Sequence, residues 1–375
     1  MIFNQLKLTI FILCIIVSSI IVSWMIVPGS YSKTNTTTED NISSSYEEDK
    51  TVSNKIDVSK TIIEHVSDSH KWNLFGEEKR GIIFYFPVFL WNPGHGFEIF
   101  SSSQFSSENI VVKGNFGHYK MFKDKIYKTN SKGTLNMDSK GIPKNDKPLD
   151  FSITKNVISI CISFFILCFI FVKMRLRYAT HQIKWPLGIF LEFLILFIRD
   201  EIAIPNIGKK KYRIYFPFLL TTFFFILINN LISILPGFPN VTGNISVTFS
   251  LALITFFITN INANKSYWKH TFWMPNVPLL IKFILFPIEL IGIFIRPLTL
   301  CIRLFANMTA GHIIILSFIC LIFIFRNLFI ASFSITFCFF ISLLEIMVSF
   351  LQSFIFTTLS SLLIGMAVKN YENET

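Results

Sequence analysis

The chain has 375 residues, a formal net charge of +11 and a hydrophobic content of 52%, with a mean hydropathy of +0.55. A soluble protein of this length does not need so much apolar content, and several apolar runs reach the roughly 20 residues that span a bilayer. We therefore expect a polytopic membrane protein. The excess positive charge flanks apolar runs of membrane length, which argues against a nucleic-acid partner.

The N-terminal part of the chain divides into two predicted segments. Residues 1–29 contain an apolar run from Leu8 to Val27 behind Lys7, which is typical of a secretory signal peptide or an N-terminal anchor. Residues 30–152 form a polar extension that we expect outside the cytoplasm. Its stretch from Ser32 to Ser59 is rich in Ser, Thr, Asn and Glu, a composition that predicts disorder.

The rest of the extension has the alternation of a small β-containing module. Apolar residues from Ile82 to Trp91 predict a strand, and shorter strands are expected at Phe97–Phe100 and Ile110–Lys113. Four histidines fit no metal-binding spacing, so we expect them to be solvated or locally bonded; they are His65, His70, His95 and His118.

Residues 153–375 are predicted to form the membrane domain. Val157–Val172 is the first internal span, and the stretch from Lys173 to Arg213 holds nine Lys/Arg against three Asp/Glu, which marks a cytoplasmic loop. Within that loop, Trp185–Ile204 predicts an amphipathic helix on the membrane surface. Ile214–Leu235 and Ile245–Ile261 then form a transmembrane hairpin with a short uncharged outer turn.

Two long apolar segments complete the chain, Leu279–Phe325 and Asn327–Val368. Each corresponds to about 60 Å of helix, which is about twice the hydrocarbon thickness of a bilayer. Upright helices of that length would overshoot the membrane, so we expect them to be tilted, kinked or broken. The fold class is thus an all-α polytopic membrane protein with two long tilted helices.

Ionisable and amide side chains interrupt these two segments, and polar groups at membrane depth are costly and usually functional. They are Glu289, Arg296, Arg303, Asn307, His312, Glu345 and Gln352. Arg303 keeps its proton in any protein environment. The predicted topology places it between Glu289 on the cytoplasmic side and His312 and Glu345 on the outer side. Two offset half-channels would need such a fixed cation, because it stops protons from crossing directly.

Several alternatives accompany this interpretation. Arg296 could simply snorkel or pair with Glu289, and His312 could be a hydrogen-bonded bundle histidine. A self-contained, ion-coupled secondary transporter would need inverted repeats, and none is evident. A structural anchor for an extracytoplasmic complex would leave the membrane charges unexplained.

The sequence has no signature of a cofactor, a metal site or a catalytic centre. All six cysteines fall in apolar segments without a CxxC pair, so neither a disulfide framework nor a zinc site is expected. A Gly-rich phosphate loop is also missing from the sequence. We expect no ATP chemistry in this chain itself.

Three motifs resemble subunit a of the F-type ATP synthase. They run from Arg303 to His312 (RLFANMTAGH), from Leu344 to Thr357 (LEIMVSFLQSFIFT) and from Leu227 to Pro236 (LINNLISILP). The likeness covers Asp150 to Val368. The stretch from Glu64 to Gly117 also resembles the extracytoplasmic extension of one bacterial variety of this subunit.

The resemblance implies two near-horizontal helices packed on a rotating ring of c subunits, with Arg303 facing each ring carboxylate in turn. It assigns Asn307, His312, Glu345 and Gln352 to the outer half-channel, and Glu289 to the exit side. Ser233 stands where some relatives have Asp. The implied partners are the c-ring, subunit b of the peripheral stalk, the remainder of the F0F1 synthase and the bilayer. The implied location is a bacterial inner membrane, with a mitochondrial inner membrane as the alternative.

Overall fold

A computed structural model describes most of the chain, in two parts that differ in secondary structure. Strands dominate up to Asp150 and helices follow from Lys155. The predicted disorder at Ser32–Ser59 lies outside the described residues. The described residues are 8–9, 12–20, 68–73, 83–105, 110–122, 124–138, 143–179, 186–235, 237–272, 278–325 and 327–369.

The N-terminal module contains eight short strands among its described residues, together with a 3-10 turn at Ser102–Phe105. The strands are β1 Lys71–Asn73, β2 Ile83–Tyr85, β3 Pro87–Asn92, β4 Gly96–Ser101, β5 Val111–Lys113, β6 His118–Phe122, β7 Lys125–Thr129 and β8 Leu149–Asp150. They form antiparallel sheets in the orders β1-β2, β4-β3-β8 and β5-β6-β7. The predicted strand from Ile82 to Trp91 is divided at Phe86 into β2 and β3.

A compact apolar core holds these sheets together. Leu90 from β3, Phe105 and Tyr119 from β6 are fully buried in it. The hydroxyl of Tyr119 accepts a 2.6 Å hydrogen bond from Asn92 Nδ2, so the one polar atom of this large side chain is satisfied. The module therefore has its own small core, as the alternating pattern of the sequence indicates.

The helical part begins where the module ends. Its helices are α1 Lys155–Ala179, α2 Pro186–Phe197, α3 Ile204–Ile207, α4 Tyr212–Ile234, α5 Ile245–Ile261, α6 Lys265–Phe272, α7 Leu279–Phe325 and α8 Leu328–Val368. Within the described residues, four of them are long and apolar enough to cross a membrane: α1, α4, α7 and α8. The all-α polytopic fold class is confirmed.

The region predicted as a surface helix is composite. A π-helical turn, Ile198–Ala203, joins α2 to α3. Three charged residues lie in this turn, where Arg199 and Asp200 form an exposed ion pair at 2.8 Å. Glu192 lies in α2, which also exposes apolar side chains such as Phe193.

The two last helices form a long antiparallel pair. α7 has 47 residues and contains Pro287 and Pro297, and α8 has 41 residues. A proline inside a helix removes one backbone hydrogen bond and favours a bend. Asn327 caps α8, because its Oδ1 accepts a 3.1 Å hydrogen bond from the Phe329 amide. Helix α8 packs against both α7 and α4.

Helix α4 is at the centre of the membrane domain. Its phenylalanines Phe223, Phe224 and Phe225 are almost fully buried. Residues 12–20 near the N-terminus are helical and contribute Leu13 and Ile20, both with 0% exposure, to the same apolar core. Thr221 Oγ1 of α4 also donates a 3.2 Å hydrogen bond to the carbonyl oxygen of Thr9.

The C-terminal end of α8 is held by two loops. Lys211 Nζ donates to the Val368 carbonyl at 3.0 Å, and the amide and side chain of Asn264 donate to Ala367 and Val368 at 2.9 and 2.8 Å. These donors satisfy carbonyl groups that a helix end leaves without partners. Nearby, Gly365 lies directly against the backbone carbonyl of Asn206, an approach that a side chain would prevent.

Candidate functional site

Arg303 lies on α7, where it follows the buried residue Cys301 and precedes the buried residue Leu304. Its own side chain is half-buried. Among the residues that the structure describes, Arg303 makes no hydrogen bond or ion pair. A guanidinium has five donors and is always charged, so this side chain is available for an acidic partner outside the chain.

One turn further along α7, an amide pair joins the two long helices. Asn307 Nδ2 donates a 2.9 Å hydrogen bond to Gln352 Oε1 on α8. Gln352 is 2% exposed, so its amide oxygen is removed from solvent and depends on this donor. The structure thus brings two of the predicted site residues together, 45 positions apart in the sequence.

Glu345 is the buried carboxylate of the site. Its side chain is 8% exposed and lies against Gly311, so closely that a Cβ at position 311 would overlap Glu345 Oε1. His312, the next residue, is half-buried. Glycine at 311 is therefore what allows the carboxylate of α8 to approach the α7 backbone beside His312.

Glu289 forms an ion pair within α7. Arg296 Nη2 donates to Glu289 Oε1 at 3.0 Å, and both side chains are partly exposed. This bears out the alternative in which Arg296 pairs with Glu289. The ion pair occupies the end of α7 before Arg303, away from the Asn307–Gln352 contact.

The loop between α4 and α5 adds a polar contact that the sequence analysis missed. Asn240 Nδ2 donates to the Met308 carbonyl of α7 at 3.1 Å, and its Oδ1 accepts from the Gly243 amide at 2.9 Å. Thr242 Oγ1 donates to Asn230 Oδ1 at 2.7 Å. The sequence analysis predicts only a short uncharged turn here, and nothing in that pattern indicates a contact with α7.

Small hydroxyl residues line the buried face of α8. Ser349, Ser353 and Thr357 each donate to the carbonyl four residues earlier, at 2.7 to 3.1 Å. Ser360 is fully buried, and its hydroxyl has no partner among the described residues. Together with Glu345 and Gln352, these residues give one face of an apolar helix a continuous polar character.

The described residues indicate neither a metal site nor a disulfide. They contain no group of three or more His, Cys, Asp or Glu side chains that could hold a metal ion. The six cysteines, which are all described, are free. The site is therefore made of amides, carboxylates, a histidine and a guanidinium.

The fold and the site define a class of protein: a multi-span membrane protein that carries ionisable and amide groups between two long helices. A family model described as "ATP synthase A chain" matches residues 157–365. The chain belongs to that family, and it is the proton-channel subunit of the stator in an F-type ATP synthase. Residues 61–151 match a second family model, described only as a domain of unknown function.

Curated relatives agree with this family. "ATP synthase subunit a" of Chloroherpeton thalassium is 43% identical over 230 residues, which cover 60% of this chain and 69% of the relative. "ATP synthase subunit a 2" of Prosthecochloris aestuarii is 43% identical over 238 residues, covering 60% and 71%. "ATP synthase subunit a" of Myxococcus xanthus is 41% identical over 229 residues, covering 60% and 75%. As a member of this family, the chain is part of the F0F1 complex.

Proposed function

We propose that Arg303 is the fixed cation that separates two half-channels and meets the carboxylates of a c-ring. The observation that carries this proposal is the lack of a counter-charge for Arg303 among the described residues of its own chain. Membrane-embedded charges are usually paired. A carboxylate on a rotating partner would supply the pair and would then be forced to give up its proton.

The outer half-channel is assigned to Asn307, His312, Glu345 and Gln352. Two contacts support the assignment, namely the Asn307–Gln352 hydrogen bond and the approach of Glu345 to Gly311 beside His312. In this mechanism a proton passes through this group and neutralises a ring carboxylate. The neutral ring site can then face lipid, because it no longer carries a charge into the hydrocarbon.

The exit path is assigned to Glu289. A ring site that reaches Arg303 loses its proton, which leaves past Glu289 towards the cytoplasm. Arg296 Nη2 lies 3.0 Å from Glu289 Oε1, and the Glu289 side chain remains partly exposed. Moving one charge through 100 mV supplies about 2.3 kcal/mol, so several protons are needed for each ATP.

The exposed apolar surface of α7 supports the c-ring as a partner. Large side chains such as Ile295 and Ile302 near Arg303 are half exposed, at 50% each. A membrane-embedded ring of helices would cover such a surface while leaving Arg303 in contact with its carboxylates. Subunit b of the peripheral stalk is the further partner that we propose from family membership.

The distribution of basic residues supports an orientation with the N-terminal module outside the cytoplasm. Lys173 near the end of α1, Lys211 before α4 and Lys265 at the start of α6 lie at helix ends on one side of the proposed topology. Basic loops remain in the cytoplasm. The module precedes α1 and is therefore on the opposite side, and we assign the protein to a bacterial inner membrane.

The N-terminal apolar segment is proposed to be retained as an anchor instead of being removed as a signal peptide. Leu13, Ile16 and Ile20 are buried in the same core as α4, and the Thr9 carbonyl accepts a hydrogen bond from Thr221. Cleavage would expose that part of the core. The segment 1–29 would then remain in the mature subunit, followed by the extension 30–152 and the membrane domain 153–375.

Arg303→Ala in the complete synthase, reconstituted into liposomes, tests the central proposal. We expect no ATP synthesis from an imposed proton gradient, while ATP hydrolysis by the detached F1 part is unchanged. Arg296→Gln is the matched control, since it removes a guanidinium two turns away and keeps a donor for Glu289. Proton-driven synthesis that survives Arg303→Ala unchanged would show that the proposed mechanism is wrong.

A further inference from the structure

A group of ionisable side chains lies where the N-terminal module meets the beginning of α1, away from the site described above. Its members come from separate parts of the chain and are Asp68, His70, Asp124, Asp150 and Lys155. We call this group the junction cluster. No role has been assigned to it so far in the proton path, and the module that supplies it matches a domain of unknown function.

Direct contacts connect the members of the junction cluster. His70 Nε2 and Asp150 Oδ2 are 3.2 Å apart, and Ser152 donates to Asp150 Oδ1 through both its amide and its hydroxyl. Thr154 Oγ1 donates to Asp68 Oδ2 at 2.9 Å. His70 is thus neither solvated nor locally bonded, contrary to the sequence prediction, because its partner is 80 residues away.

Two atoms of the cluster lack hydrogen-bond partners among the described residues, although both are shielded from solvent. They are Asp68 Oδ1 and His70 Nδ1. His70 as a whole is only 6% exposed. A buried polar atom without a partner is uncommon and calls for an explanation. A proton that is exchanged at these atoms would provide one.

The burial of Asp68 gives the cluster a reason to bind a proton. Asp68 Oδ1 is shielded from solvent and has no hydrogen-bond partner among the described residues. A protonated carboxyl group carries no charge, so its burial costs less than the burial of a carboxylate. Asp124 interacts electrostatically with both His70 and Lys155, which links the members of the group.

The directions of the pKa shifts at Asp68 and His70 agree with the uptake of a proton. Burial raises the pKa of Asp68, against the lowering effect of Lys155. Burial opposes the charged form of His70, but Asp150, Asp68 and Asp124 outweigh it and raise the His70 pKa. Burial also works against ionised Asp150, yet His70 holds the Asp150 pKa below its usual range. Lys147, beside Asp150, is the remaining charge that faces the group, with Lys125 next to it.

The junction cluster is connected to the proposed outer half-channel through the loop between α4 and α5. Trp72, two residues after His70, donates its Nε1–H to the Gly237 carbonyl of that loop at 2.6 Å. Asn240 of the same loop donates to the Met308 carbonyl at 3.1 Å. Met308 follows Asn307, whose side chain is bound to Gln352. The module is thus hydrogen-bonded to the end of the bundle where protons would arrive.

We propose that the junction cluster is a proton-binding site that collects protons from the external medium and supplies them to the outer half-channel. The inference rests on the proposed function, in which the module lies outside the cytoplasm. The ligand is a hydronium ion. An O–H bond forms at Asp68 Oδ1 as hydronium becomes water, and the same bond breaks when the proton is passed to water in the direction of the loop.

The sign of the pH dependence follows from His70. Its raised pKa means that the charged His70–Asp150 pair stabilises the cluster at low pH and is lost as pH rises through that pKa. The lowered Asp150 pKa means that acid breaks the same pair only well below neutral pH. Collection therefore works up to the raised His70 pKa, and it matters most at the alkaline end of that range, where protons are scarce.

The test uses the complete synthase in liposomes with F1 outward, so that the module faces the lumen. ATP synthesis is measured as lumenal pH varies from acidic to alkaline, while a potassium diffusion potential keeps the total driving force constant. For His70→Gln and Asp68→Asn we expect wild-type rates at acidic lumenal pH. At alkaline lumenal pH we expect a loss of about 10-fold, the low end of what electrostatic focusing contributes to the capture of ions.

His95→Gln is the matched control, because His95 is exposed, stacks on Phe116 and lies outside the cluster. It should follow the wild-type profile. An unchanged profile for His70→Gln and Asp68→Asn would overturn the inference. So would an equal loss at every lumenal pH, or the failure of both variants to assemble, because either result would show a purely structural cluster.

Arg303→Ala separates this inference from the proposed function. That variant should lose synthesis at every lumenal pH, whereas the cluster variants lose it only at alkaline pH. If Arg303→Ala remains active, the proposed function is wrong. If it is inactive while the cluster variants keep the wild-type profile, only the proton-collecting role is wrong.

Discussion

Replacing Gly311 by alanine should disable the site where α7 and α8 come closest. A Cβ at this position would overlap Glu345 Oε1 and would lie 3.1 Å from both Cδ and Cγ of the same side chain. Ordinary contacts begin at 3.4 Å, so either the carboxylate or a helix has to move. The Glu345 side chain is 8% exposed, which leaves it little space in which to relocate.

The two possible responses, a shifted carboxylate or separated helices, differ in their energetic cost and in the measurement that detects them. A carboxylate that moves by about 1 Å loses its alignment for proton transfer, and a misplacement of that size costs on the order of 100-fold in rate. If the helices separate instead, overpacking costs about 1–3 kcal/mol of stability. Thermal unfolding of the purified complex distinguishes them, because only the second lowers Tm.

The assay is ATP synthesis driven by an imposed proton gradient, normalised to ATP hydrolysis by the detached F1 part. Gly292→Ala is the control in the same helix, since nothing that the structure describes lies within 4 Å of the added Cβ. The double variant Gly311→Ala/Glu345→Asp shortens the acidic side chain by one methylene and should recover part of the lost rate. Wild-type synthesis and stability in the single variant would refute the reasoning.

Three further predictions concern other parts of the molecule. Asn307→Leu leaves the buried Gln352 oxygen without its donor, which should cost about 1–3 kcal/mol; a lower Tm and slower ATP-driven proton pumping check this, and an unchanged Tm contradicts it. Gly365→Ala places a methyl group against the Asn206 carbonyl and should destabilise the complex by about 1–3 kcal/mol, measured as a Tm below that of Gly292→Ala. Intact-mass measurement of the purified subunit should find residues 12–20 present, and a chain beginning after Val27 would exclude the proposed anchor.

Several helix boundaries could be predicted from the sequence because the membrane imposes them. The bounds Ile245–Ile261 and Leu279–Phe325 agree with α5 and α7 at both ends. The first span is longer than predicted, since α1 continues through the basic residues to Ala179. Charged residues mark where a helix leaves the hydrocarbon, but they do not end the helix itself.

Contacts between distant segments could not be predicted in the same way. The His70–Asp150 and Asn240–Met308 contacts join residues that are 80 and 68 positions apart. Local periodicity carries no information about such pairs. The β6–β7 hairpin was also missed; its turn contains Asp124, which has a φ of 57°.

The hydrogen bonds to Val368 and the close approach of Gly365 to the Asn206 carbonyl have a mechanical consequence. A stator is subject to torque, and α8 is held at its C-terminal end by Lys211, Asn264 and the Asn206 backbone. At its opposite end, Leu328 is 89% exposed. The helix therefore resembles a cantilever that is fixed near Val368, so a sideways load displaces it most at the Leu328 end and transmits the reaction force to the loops that hold Val368.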